Sequence, residues 1–400
     1  MVSSKQAKAV NCDVLVVGAG LVGLAAVIAL AEQGKRVVLI DTQNSEVVQK
    51  MAFPQQDWDA RIYALTPATE AFLIRLGVWS FVDLLRVNAV EAMALWHSES
   101  DRPLNLFAED ARLSKLASIA ESRHLMQALW KKLQALEVTV MSGIACRSLD
   151  YDQNSVIINL DNDIQVRASL LVAADGAQSF IRQTLAIATK TKAFNQTALV
   201  ANYQVEKKHD NVARQWFASH ETLALLPLPQ QHVSMVWALQ TPLAQTLLAM
   251  DDACLAEHVQ TRASGLLGEL KPIGQTFSYE LKQVTAERLI AQRVVLIGDA
   301  AHQVHPMAGQ GANLGFRDVM CLENLIATSH AMQDIGDLTF LRQYERTRKA
   351  DILNMNILTS GLDTLFSIES SVVKKITSFG MRQLDQHRSM KNILIQQAIA

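Results

Sequence analysis

The sequence predicts an α/β fold: a parallel-sheet domain assembled from separated stretches of chain, an inserted and mainly antiparallel sheet, and helices at the C-terminal end. Three observations predict it. The chain opens on an apolar strand, a glycine turn and an apolar helix in "VLVVGAGLVGLAAVIALA", Val14 to Ala31. Short strand-like runs separated by turn residues fill the middle. A second buried strand with a glycine-rich loop, "RVVLIGDAAHQVHPMAGQGANLGFRD", then appears in the last third.

Val14–Val17 reads as a strand, the glycines as a tight turn, and Leu24–Gln33 as a helix stopped by Gly34. The uncharged length of Val14–Ala31 also suits a membrane span. Its three glycines, Gly18, Gly20 and Gly23, and its change of texture argue instead for strand, turn and helix. "RVVLID" closes a βαβ unit. Thr42–Asp59 is polar and reads as a loop, and helical patterns follow at Thr66–Leu76 and Leu113–Leu136. From Val156 the texture turns to short strands: "SVIINL", "IQVRASLLVAA", "ALVANYQVE", "ARQWF", "TLALLPLP" and "VSMVWAL". The antiparallel sheet is expected at Asn195–Lys282, interrupted by helical runs at Leu243–Leu248 and Cys254–Leu267. Asn313 to the end reads as helical. The expected partition is 11–80, 100–190 and 285–330 for the parallel-sheet domain, 81–99 and 191–284 for the sheet domain, and 331–400 for the C-terminal helices.

Half of the 400 residues are apolar, enough for a large core and for two domains. A formal charge of −2 gives no basic field for nucleic acid. A mean hydropathy of +0.11 points to a large core, an apolar pocket or contact with a membrane surface. Cys12, Cys146, Cys254 and Cys321 are scattered, as reduced thiols of a cytoplasmic protein would be. "MVSSKQAKAVNCD" has neither a signal core nor a transit-peptide character.

Three motifs carry chemistry. In Gly18-Ala19-Gly20-Leu21-Val22-Gly23, the first glycine permits the turn. The second lets a pyrophosphate approach the backbone, and the third lets the helix pack on the strand. Asp41 ends the next strand about twenty residues on, where a carboxylate can take ribose hydroxyls. This is a dinucleotide site that does not by itself distinguish NAD from FAD. The second motif, "LLVAADGAQSFIRQTL", holds Asp175, Gly176, Ser179 and Arg182; alone it reads equally as a strand-ending turn with Ser179 capping a helix. In the third, Asp299 ends a strand and Pro306 to Asn313 lead into a helix from about Gly311, whose amides could stabilise negative charge. His302 and His305 lack a third ligand at fixed spacing, so no metal is expected.

In this order the motifs resemble the class A flavoprotein aromatic hydroxylases, which have a para-hydroxybenzoate hydroxylase-like fold. The sharper resemblance is to the ubiquinone-biosynthesis hydroxylases. It is carried by "HPMAGQGANLGFRD", by "DARIYALTPATEAFLIRLGVW" with Arg61, by "ARQWF…LALLPLP…VSMVWAL" and by "LRQYERTRKAD". The sequence departs from that pattern at Ser122, where the family often has Asn, and at "MKNILIQQAIA", which lacks a glycine.

The resemblance implies a discontinuous Rossmann-like (GR2-type) FAD-binding domain. Gly18, Gly20, Leu21, Val22 and Gly23 would hold the pyrophosphate, and Asp41 with Thr42 the adenosine ribose. Asp175 and Gly176 would support the pyrophosphate side, and Asp299 the ribityl region. Arg61, Pro306, Gly309, Gln310, Gly311, Ala312 and Asn313 would border the flavin ring. With no second GxGxxG, NAD(P)H would bind transiently as a co-substrate. O2 would react through a flavin C4a-hydroperoxide. His305 and Tyr63 are the candidate catalytic residues. The implied substrate is a polyprenylated phenol or benzoquinol, presented at a membrane or by other ubiquinone-biosynthesis proteins.

Lys374, Lys375, Arg382, Arg388 and Lys391, set among apolar residues, read either as a basic amphipathic helix for the inner membrane face or as a helix packed on the domain. A hydroxylase of a soluble aromatic and a non-enzymatic prenyl-lipid carrier remain as alternatives. A halogenase would show WxWxIP, which is not present.

Overall fold

Strands buried on both faces need apolar runs without polar alternation, and such runs form the central parallel sheet. In the computed structural model, which describes residues 8–45, 58–97, 102–304, 311–367, 391, 392 and 395, β1 (Lys8–Val17) lies between β2 (Val37–Asp41) and β11 (Ile164–Ala173). β8 (Thr139–Ser142) continues the sheet beyond β2, and β18 (Val294–Leu296) continues it beyond β11, all in parallel. Three antiparallel strands, β9 (Cys146–Tyr151), β10 (Val156–Leu160) and β17 (Ile290–Ala291), complete its eight. Val14–Val17, Val37–Ile40, Leu170–Ala173 and Val294–Leu296 are buried throughout. The sheet therefore draws its strands from separated parts of the chain.

The first helix spans Leu21–Glu32, so Leu21 and Val22 of the glycine motif are already helical. Leu24 to Leu30 are buried without interruption, and the helix packs against helices Ser122–Gln134 and Gly311–Ala327. A helix apolar on every side belongs inside a protein, which explains its span-like hydropathy. Among the described residues no helix is long and apolar enough to cross a membrane.

The second sheet runs in the order β19 (His302–Gln303), β16 (Leu270–Ala286), β12 (Thr189–Val205), β15 (His232–Gln240), β14 (Glu221–Leu228), β13 (Val212–Ala218), β5 (Ala92–His97), β6 (Leu104–Phe107). It is antiparallel except where β13 meets β5. Alternation along its strands sends Tyr203, Trp216, Met235 and Trp237 into a core with helices Thr241–Leu248 and Asp252–Arg262. The opposite face carries small residues, Ala198, Ala213, Ala224 and Ala238. A third sheet, β3 (Ile62–Leu65), β7 (Ala117–Glu121) and β4 (Asn88–Val90), stands over that face.

Three expectations are corrected. Leu113–Leu136 is not one helix: Ala117–Glu121 is a strand, and the helix starts at Ser122. Pairing with β3 and β4 overrides the local helical pattern, and Glu121 is fully buried as an acceptor for Asp59 N–H and the Arg86 guanidinium. Leu104–Phe107, assigned to the parallel-sheet domain, instead forms the edge of the second sheet by pairing with β5. Lys391 is 7% exposed and lies over the Phe107 ring, so it does not face a membrane. Lys374, Lys375, Arg382 and Arg388 lie outside the described residues.

A Cβ on Gly23 would sit 2.0 Å from the Gly18 carbonyl oxygen and 3.2 Å from the Ala174 Cβ. Gly23→Ala is therefore expected to destabilise the protein by about 1–3 kcal/mol, since backbone must move. Denaturant unfolding checks it, and an unchanged midpoint would show that the contact is slack.

Candidate cofactor and substrate site

The glycine turn is shaped by close backbone approaches. Gly18 has φ 106°, and a Cβ there would lie 2.3 Å from the Ala174 carbonyl oxygen. Gly20 has no atom within 4 Å of its would-be Cβ, so open space lies before the helix N-terminus. Asp41 accepts from the Ala19 N–H at 2.5 Å and the Gln43 N–H at 2.6 Å, which ties the strand end to the turn. Thr42 is exposed beside it.

The second motif holds its own loop. Asp175 accepts from the Ser179 hydroxyl and the Ile181 N–H, and Ser179 accepts from the Arg182 N–H. Arg182 is buried and donates to the carbonyls of Ala177 and Ala300, joining this loop to the third motif.

The third motif is anchored by Asp318. Its carboxylate is fully buried and accepts from the Gly298 N–H at 2.8 Å, His302 Nε2 at 2.7 Å and Arg348 Nε at 2.6 Å. Burial pushes its pKa up, but His302 and Arg348 outweigh that and hold it below the ordinary carboxylate range. Tyr344 donates to the Leu296 carbonyl, fixing the last residue of β18 just before Gly298. Asn313 accepts from the Thr66 N–H and donates to the Ala64 carbonyl, pinning the start of helix Gly311–Ala327 to β3.

A cavity of about 750 Å³ joins these parts. One end is bordered by Gly20–Gly23, Gly176, Gly298, Asp299, Gly311 and Ala312. Arg61, Tyr63, Ser122, Tyr279 and Gln303 stand around its middle. The Arg61 guanidinium lies 5.7 Å from the Tyr279 ring centre, and Tyr63 hydrogen bonds to Ser122. Burial pushes the Tyr63 phenol above its usual pKa. The far end passes Ala224, Ala213 and Met93 to Leu106 and Ile395.

Gly20, Leu21, Val22, Gly23, Arg61, Tyr63, Gly176, Asp299, Gly311 and Ala312 thus border one space, while Gly18, Asp41, Thr42, Asp175 and Asn313 do not line it. His305, Pro306, Gly309 and Gln310 lie outside the described residues. Sequence reasoning missed Tyr279, Gln303, Asp318 and Arg348 as parts of the site. The first had a usable signal: Phe277, Tyr279 and Leu281 alternate on one strand face.

An FAD binding domain family matches residues 11–355. The open space at Gly20, the amides of two helix N-termini and the carboxylate of Asp41 fit an extended dinucleotide, so FAD is the cofactor. The chain is 33% identical over 390 residues to the ubiquinone hydroxylase UbiL of Rhodospirillum rubrum, covering 97% of this chain and 89% of that one. It is 29% identical to the 3-demethoxyubiquinol 3-hydroxylase of Escherichia coli, covering 89% of each. The p-nitrophenol 4-monooxygenase PnpA of Pseudomonas putida shares the fold, with a TM-score of 0.78, 17% identity and 98% coverage of both chains.

Removing the charge at Asp318 takes from the buried Arg348 guanidinium the carboxylate bonded to its Nε. Asp318→Asn is expected to cost about 3–5 kcal/mol. Because the folded pKa is depressed, the stabilisation is complete above about pH 4 and is lost as pH falls through the folded value. Unfolding curves at neutral and acid pH check both statements; equal stability of parent and variant at neutral pH would refute them. Similarity along nearly the whole length of a hydroxylase, on a fold shared end to end, makes the chain a member of the ubiquinone-biosynthesis hydroxylase family of FAD-dependent monooxygenases.

Proposed function

We propose that the protein hydroxylates the aromatic ring of a polyprenylated phenol or benzoquinol intermediate of ubiquinone biosynthesis, with NAD(P)H and O2 as co-substrates. The observation that carries this is the single cavity running from the glycine turn to an apolar sheet face. The names of the relatives, a ubiquinone hydroxylase and a 3-demethoxyubiquinol 3-hydroxylase, support it. Among the described residues, Arg61 at the middle and Asp299 at the cofactor end are the charged residues lining the cavity, so an anionic soluble aromatic would find no described cation in the apolar arm.

Bound FAD would supply the two-electron reduction by NAD(P)H and the activation of oxygen. The protein's part is to hold, orient and keep dry. Gly18 to Gly23 and the helix they begin would receive the pyrophosphate, Asp41 the ribose, and Asp299 the ribityl chain. The amides at Gly311 and Ala312 would border the ring, where their partial positive charge would favour negative charge. Small residues on the second sheet admit a flat ring, and their apolarity excludes the water that would divert oxygen to hydrogen peroxide. Tyr63, kept protonated by burial, is poorly suited to act as a base. His305 remains part of the proposal on sequence grounds. NAD(P)H approaches at the mouth beside Arg61 and Tyr279, and the apolar tail draws the cytoplasmic enzyme to a membrane surface or to lipid-presenting partners.

The purified protein is expected to carry FAD that NAD(P)H bleaches without oxygen and air restores. With a prenylated phenol it should yield a product heavier by one oxygen in mass spectrometry. Protein that takes up no FAD, or that forms no product from any prenylated phenol or benzoquinol, would end this reading. Tyr63→Phe is expected to retain FAD and to lower hydroxylated product per NAD(P)H by about 3–10-fold. Unchanged coupling would remove Tyr63 from the site's chemistry.

A further inference from the structure

A ring in a dry apolar pocket slides unless a polar group fixes it, and hydroxylation at one carbon requires that it not slide. Polar side chains at the cofactor end and middle of the cavity contact one another. Arg61 contacts Tyr279, Tyr63 bonds Ser122, and Gln303 donates to Asp299. Beyond Tyr279, the wall contributed by the second sheet is alanine, valine, leucine and methionine, with two polar exceptions, Gln215 and Thr222.

Gln215 stands on β13 and is 8% exposed. Its cross-strand partner is Ala224, which leaves space beside the amide, and Thr222 lies on the diagonal of the same face. An amide offers two donors and an acceptor oxygen, so Gln215 can bond the protein and a ligand at once. Its strand also divides the cavity. On one side lie β14, β15, β12 and β16, leading to the cofactor end; on the other lie β5 and β6, leading to Leu106 and Ile395.

We propose that Gln215, with Thr222 beside it, is the specificity-determining residue that hydrogen bonds an oxygen substituent of the substrate ring, leaving the prenyl tail to run past Met93 and Leu106 toward Ile395. This rests on the function proposed above. The amide sets which ring carbon faces the cofactor, because a ring held at one oxygen can present few of its carbons to a fixed point.

The test uses FAD-loaded protein titrated with a 2-prenylphenol and with the corresponding prenylbenzene, which lacks the hydroxyl. Binding is read from the change in flavin absorbance. The parent should prefer the phenol by about 10-fold. Gln215→Leu should retain FAD, bind the prenylbenzene as the parent does, and lose most of the preference. Gln215→Met, which keeps the length and unbranched shape, should behave the same and covers the case that leucine disturbs packing. A variant that keeps the full preference overturns the assignment. A parent that binds neither compound, and hydroxylates no prenylated phenol, instead overturns the underlying substrate reading. Product per NAD(P)H should fall with the preference.

Discussion

One carboxylate holds three parts of the molecule in place. Asp318 receives a backbone N–H from the end of the parallel sheet, an imidazole from the first residue of β19, and a guanidinium from the long C-terminal helix. Gly298 and His302 lie close in sequence, but Arg348 comes from a helix much later in the chain, and all three must be placed together for the loop after Gly298 to face the glycine turn. A buried charge with three donors tolerates little displacement, because each lost bond leaves a charged or polar group without water. The tight contact of Val22 with Gly298 and Gly315 depends on that placement. So does the passage of the chain from the parallel sheet into the second one, where His302 pairs with Thr285.

Much of the parallel domain was legible because its signals are local. Val14–Val17, Val37–Ile40 and Val294–Leu296 are runs that only a doubly buried strand explains, and Gly18 and Gly23 are required by contacts with their immediate surroundings. Asn313 and Asp175 were visible as motif residues, but their side chains prove to fasten backbone rather than to line the cavity. The strands β4 to β7 were hard to read for a different reason. They are three to six residues long, and some of their partners lie far away in sequence, as with β5 against β13. Pairing, not propensity, decides such segments. Glu121 illustrates it: a buried acid looks like a helix start until Arg86 and the Asp59 amide are seen to converge on it.

The second sheet hid its working face in a similar way. Both of its faces are apolar, so alternation of polarity could not reveal which one meets the cavity. The distinction is size. Trp216, Trp237, Met235 and Tyr203 fill the side under the two helices, while alanines dominate the other. Large residues there would fill the space that small ones leave open.

The late arrival of β18 has a consequence for how the chain is made. β11 is complete at residue 173, but its neighbour begins at Val294. During synthesis the parallel sheet therefore shows an unpaired apolar edge while more than a hundred further residues emerge, and the anchor at Asp318 comes later still. Nascent chains in that state offer a template for mispairing with one another. Until its last third is released the chain therefore carries an edge open to mispairing, and the cofactor can act as a folding ligand only after that point.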